Sequence, residues 1–136
     1  MNRSAGAQDG TSIGNRLFFW KGSVRIFQEH PLLGVGIDGY PVAMRKLHPE
    51  LGSTIHNPHN FYLYVAATYG VLGLLLYGWL WCASLGRAWP KRDTWSGFML
   101  LSTMLVISVA SLSETTPLQP QTGLLLAMMV GLPMEE

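Results

Sequence analysis

The residues best suited to chemistry are crowded into five positions, His56-Asn57-Pro58-His59-Asn60. Imidazoles exchange protons near neutral pH, and asparagine amides both donate and accept hydrogen bonds. Pro58 fits the first position of a helix, with Asn57 as the cap before it. In the other arrangement Asn60 is the cap and His59 lies just outside. Both put His59 at the positively polarised end of a helix. An anion such as a diphosphate is stabilised there, and a neutral imidazole would serve there as a general base. A metal is the competing chemistry, because His56 and His59 stand at i, i+3. No Cys, Asp or Glu lies near them in sequence to complete a ligand set, so no metal site is assigned.

The element that must hold this knot follows at once. Asn60 to Gly86 carries no Lys, Arg, Asp or Glu. Such a run, at ~1.5 Å per helical residue, exceeds the ~30 Å of a bilayer's hydrocarbon and reads as a transmembrane helix. At ~100° per residue, Ala66, Gly70, Gly73 and Tyr77 stack beneath His59. A stripe of small residues lets helices pack closely, or leaves a groove for a lipid tail; packing is the weightier reading. A second uncharged span runs over about 96–112. The stretch 113–121 (SETTPLQPQ) reads as a polar turn, and 122–134 is apolar but too short to cross alone.

Upstream, residues 1–15 are rich in small and polar types and read as a flexible segment. Leu17, Trp20, Val24 and Phe27 recur at helical spacing with Lys21, Arg25 and Gln28 beside them. Residues 15–29 are therefore expected to form an amphipathic helix. It either lies on the bilayer with its basic side chains near lipid phosphates or covers a core. Pro31 ends it, Gly34, Gly36 and Gly39 make a turn segment, and a short helix fits before Pro49. Only 12% of the 136 residues are charged, against about a quarter in soluble domains. There is no basic patch with interleaved aromatics, so no nucleic-acid partner is expected. The single cysteine, Cys82, forms no internal disulfide. No apolar leader opens the chain, which reads as a piece of a longer membrane protein.

Arg87, Lys91 and Arg92 lie between two apolar spans. Short loops with such charges stay cytoplasmic, so the histidine knot falls on the opposite, periplasmic face. The fold class expected is all-α: a polytopic membrane protein fragment. A periplasmic loop, 16–59, carries the amphipathic helix, and 60–136 holds two to three transmembrane helices at about 60–86, 96–112 and 122–134.

Three stretches taken together resemble a known family. His59-Asn60, nine residues, then Gly70-Val71-Leu72-Gly73 is similar to the H-N-x9-G-x-x-G signature of the O-antigen ligase and polymerase superfamily. Arg16 to Trp20 followed by His30 to Tyr40 resembles its R-x3-W and P-x-x-G-x-G-x-x-F/Y stretches, and residues 113–132 look like its C-terminal spans. The resemblance implies an inner-membrane glycosyltransferase with a periplasmic loop and no metal, cofactor or nucleotide sugar. It would move a glycan from an undecaprenyl diphosphate carrier to a hydroxyl of lipid A-core, another glycan or a protein, among membrane lipids, with inversion at the anomeric carbon. By the same resemblance His59 is the catalytic base and Arg16 binds the diphosphate. Arg25, Asn60 and His56 are the further candidate substrate-binding residues. A non-catalytic small membrane protein is the alternative, prompted by the absence of acidic residues near the knot.

Overall fold

The computed structural model describes residues 12–49, 58–115, 122–124 and 127. Every regular element among them is helical: α1 (Ser12–Glu29), α2 (Gly39–Leu47), α3 (Phe61–Ala88), a 3-10 turn (Trp89–Lys91) and α4 (Trp95–Ala110). Most of the flexible segment expected over 1–15, the knot residues His56 and Asn57, and most of the third span expected at 122–134 lie outside the described residues.

α1 is helical as its periodicity predicts, but it turns a different face to the core. Leu17 and Val24 are exposed, while Ser23 and Ile26 are buried and Phe19 packs beside them. α2 decides this. Tyr40 and Met44 are fully buried and meet α1 where Gly22 and Ser23 leave room for them. The Ser23 Oγ–H is given to the Phe19 carbonyl at 2.8 Å. Ser23 Oγ also shares a 2.8 Å hydrogen bond with the Tyr40 hydroxyl, in which either oxygen can donate. Burial raises that hydroxyl from 10.0 to about 12, and the Ser23 bond works against the rise. Tyr64 and Ala67 of α3 close the same cluster.

The single rod expected from Asn60 to Gly86 is corrected by a reversal. Gly70 has φ 65 and ψ −157, a conformation open to glycine almost alone. On a straight helix residues 61 and 77 would stand ~24 Å apart. The rings of Phe61 and Tyr77 lie 4.9 Å apart. The arms 61–69 and 71–88 therefore fold back on each other at an acute angle.

The turn is stable because another segment supplies its hydrogen bonds. A helix end leaves carbonyls unpaired, and a helix start leaves N–H groups unpaired. Ala67 and Thr68 carbonyls accept from Val35 N at 3.0 Å and Gly36 N at 2.8 Å, and Val71 and Leu72 donate to the Pro31 and Leu32 carbonyls at 2.8 and 3.3 Å. The loop 31–36 thus caps both arms at once. Contact is so close that a Cβ on Gly34 would fall 2.4 Å from the Thr68 carbonyl carbon, and one on Gly70 2.4 Å from the Leu32 oxygen.

Among the described residues, Phe61–Lys91 is long and apolar enough to cross a membrane, by length and composition, and α4 is a shorter apolar helix. With the reversal, the straight portion is 71–88, about 27 Å at ~1.5 Å per residue. α4 returns beside it, with Leu100 and Met104 against Ala88, and Trp81 and Leu101 packed alongside.

Candidate functional site

α4 ends where α3 begins, and this junction builds the site. The last carbonyls of a helix need partners. Here Ser108 O accepts from the Tyr62 hydroxyl at 3.1 Å, Ser111 O from Phe61 N at 2.9 Å and Leu112 O from Asn60 Nδ2 at 2.8 Å. Asn60 Oδ1 meanwhile accepts from Leu63 N at 3.0 Å. Of the two capping arrangements open to the sequence, the structure takes Asn60. Both polar ends of this buried amide are engaged by backbone groups, so Asn60 joins two helices and fixes the residue before it.

That residue is His59, half exposed, with φ 50, the one positive φ outside glycine among the described residues. A side chain in this region is strained by about 1–3 kcal/mol and persists only where its surroundings hold it. Asn60 holds it from one side. On the other, Pro58 is fully buried and its carbonyl accepts from Trp20 Nε1 at 3.1 Å. Trp20 therefore anchors the imidazole from α1, which is a physical use for the tryptophan of R-x3-W.

Arg16 lies one turn before Trp20 on the same face of α1. Its Nη2 stands 3.6 Å from Glu114 Oε1, and the other oxygen of that carboxylate, Oε2, stands 3.3 Å from His59 Nδ1. One carboxylate thus bridges the two residues singled out as base and diphosphate ligand. The expectation that no acid attends the knot is corrected: Glu114 arrives from 55 positions along the chain, carried by the α4–α3 junction. Its signal in the sequence is its isolation, since it is the only acid between Asp93 and Glu135. An ionisable group at the end of an apolar helix is a candidate functional position.

The structure does not bring Arg25 to this place. It follows Arg16 by nine residues, about 13 Å along the axis and half a revolution around it. It pairs with Glu29 Oε1 at 3.2 Å and lines an outer hollow of ≈490 Å³ with Leu17, Val24 and Lys21. His56 lies outside the described residues. The small-residue stripe does not run down one helix face, because the helix breaks at Gly70. Gly70 is taken up by the backbone of the 31–36 loop, as close packing requires. Gly73 and Tyr77 instead border an apolar cleft of ≈450 Å³ beside Val65, Leu72 and Leu33.

The chemistry this arrangement offers is specific. A neutral imidazole that donates Nδ1–H to Glu114 carries its lone pair on Nε2. Arginine presents a fork of N–H donors suited to phosphate oxygens. A proton acceptor and an anion clamp therefore stand within one carboxylate's width of each other. At the far end of the α3–α4 pair sit Arg87, Lys91 and Arg92, about 24 Å away by the length of α4.

Residues 1–78 match the family described as O-antigen ligase. These residues include α1, α2, the capping loop, the whole first arm of α3 and His59. A curated O-antigen ligase of Pseudomonas aeruginosa is 33% identical over 92 residues, which is 68% of this chain and 22% of that protein. The chain thus spans less than a quarter of that relative's length.

Proposed function

From the premise that this chain belongs to the O-antigen ligase family, we propose that it takes part in moving a glycan from a polyprenyl diphosphate carrier to an acceptor hydroxyl. His59 accepts the hydroxyl proton at Nε2. The hydroxyl oxygen bonds to the anomeric carbon as the bond from that carbon to the diphosphate oxygen breaks. The diphosphate leaves with the electron pair, and Arg16 stabilises the charge that grows on it. Charge stabilisation of this kind is commonly the largest contribution to such a reaction. A direct displacement inverts the anomeric centre. His56, three positions before His59 in the sequence, is proposed as a further substrate contact. Asn60 acts by holding His59, and Arg25, on the other face of α1, takes no part in the diphosphate contact.

The observation carrying this reading is that one carboxylate touches both His59 and Arg16, residues 43 positions apart that the fold unites. The site belongs on the periplasmic face of a bacterial inner membrane in this reading. The cluster Arg87, Lys91 and Arg92 at the opposite end of the helix pair supports that orientation, since such charges favour the cytoplasm.

The test is His59→Ala in the full-length membrane protein. Transfer should fall by at least about 100-fold, the usual contribution of a positioned base, while membrane insertion is unchanged. Transfer at the normal rate by this variant would end the assignment.

A further inference from the structure

Glu114 lies outside the R-x3-W and H-N-x9-G-x-x-G signatures, in the third of the resembling stretches, and beyond the matched residues 1–78. Its carboxylate nevertheless touches both α1, through Arg16, and the 58–60 segment, through His59. We infer that Glu114 is a shared counter-ion that occupies Arg16 until a diphosphate arrives, then yields it and keeps His59. This rests on the reading of Arg16 as diphosphate ligand and His59 as base.

The two contacts differ in the way such an exchange needs. Arg16 and Glu114 stand 3.6 Å apart, with side chains 38% and 45% exposed. Ion pairs so open to solvent are weak. A diphosphate carries more charge than one carboxylate and offers a guanidinium several oxygens in fork geometry. It therefore competes successfully for Arg16. The His59 contact is shorter, 3.3 Å, and uses the other carboxylate oxygen, so releasing Arg16 does not disturb it. His59 is also fixed by its backbone, between the Trp20-bound Pro58 and the capping Asn60, so the imidazole stays in place during the exchange.

The exchange gives Glu114 two duties with opposite consequences. Toward donor binding it is a competitor, because it satisfies Arg16 in the resting site. Toward the chemical step it is a positioning residue. It orients the imidazole through Nδ1, directs the accepting lone pair to Nε2, and stabilises the imidazolium that forms when the proton moves. Removing its charge while keeping its shape should help the first step and harm the second. A residue that merely held the fold together would weaken both.

The experiment uses the full chain in nanodiscs with farnesyl diphosphate as the probe, and inorganic diphosphate in parallel. Arg16→Ala should weaken farnesyl diphosphate binding by roughly 10-fold or more. Glu114→Gln should tighten it by about two- to fivefold, the reach of an exposed ion pair. The double variant should match Arg16→Ala, and Glu114→Asp, which keeps the charge, should bind no more tightly than wild type. In transfer assays on the full-length membrane protein, Glu114→Gln should lower kcat and KM together. If Arg16→Ala loses binding but Glu114→Gln binds no better than wild type, the counter-ion inference is overturned and the Arg16 reading stands. If Arg16→Ala binds as wild type does, the Arg16 reading itself fails, and the inference with it. Equal effects with inorganic diphosphate would assign the site to the diphosphate alone, and a preference for farnesyl diphosphate would add the lipid; the inference stands in both cases.

Discussion

The arms of α3 on either side of Gly70 are written in the same alphabet and live in different surroundings. Residues 61–86 contain no charged side chain, yet in the first arm Phe61, Tyr64, Val65, Ala66, Ala67 and Thr68 are all buried. In the second, Leu72, Leu75, Leu76 and Trp79 are between 50% and 69% exposed. The first arm is covered by α1, α2 and the 31–36 loop and carries the site at its start. The second offers its apolar side chains outward, as a helix does when hydrocarbon or further helices surround it. Hydropathy alone cannot separate the arms, because burial in protein and burial in lipid select the same residue types. What separates them is the partner each finds.

The strongest way to break this contrast is at the turn. Gly70→Ala puts a side chain into a glycine-only conformation and against the Leu32 carbonyl oxygen. It should cost at least about 3 kcal/mol. Hydrogen exchange should show amides 61–69 losing protection while 71–88 keep theirs. Equal protection across both arms would mean that the reversal does not depend on this glycine.

A change in pH probes the covered arm without altering its shape. The Tyr40 hydroxyl, raised by burial from 10.0 to about 12, packs its ring 5.5 Å from Tyr64. A group whose proton is held more tightly in the folded state gives full stability below its unfolded value. That stability is lost as pH rises through the folded one. Some 2–3 kcal/mol should therefore disappear between about pH 10 and 12. The loss should be read in α1, α2 and the first arm, and Tyr40→Phe should remove this pH dependence. A loss of similar size in the Phe variant would assign the alkaline sensitivity to other groups.

The smallest effect is expected on the exposed arm. A Cβ at Gly78 would meet nothing within 4 Å, so Gly78→Ala should change stability by less than about 1 kcal/mol, and in the favourable direction. Thermal unfolding of Gly78→Ala beside Gly70→Ala sharpens the comparison. A large loss at Gly78 would show that the second arm is also tightly covered.

Much of the site was legible where its physics is local. Arg16 and Trp20 share a helix face because of their spacing. Asn60 is a cap because asparagine before an apolar run usually is one, and the choice between it and Asn57 needed only the fold to decide. Which face of α1 meets the core was not legible, for a concrete reason. Periodicity marks Leu17 and Val24 as apolar, but the core forms where small Gly22 and Ser23 admit Tyr40 and Met44, which no single helix reveals. Arg25 has the side chain of Arg16 but not its place in the R-x3-W stretch, and half a turn of helix separates them.

By its own composition and spacing the chain determined that it is helical, that a charge-free run follows His59, and that glycine stands at 34 and 70, where backbones must meet. Those are consequences of what each residue can do with its near neighbours. Tertiary structure alone decided that the run folds back at Gly70, because its four loose backbone groups are satisfied by a loop some 35 residues away. It alone brought Glu114 between His59 and Arg16. Both are pairings between distant segments, set by geometry once the helices pack, and no local pattern encodes a distance in space.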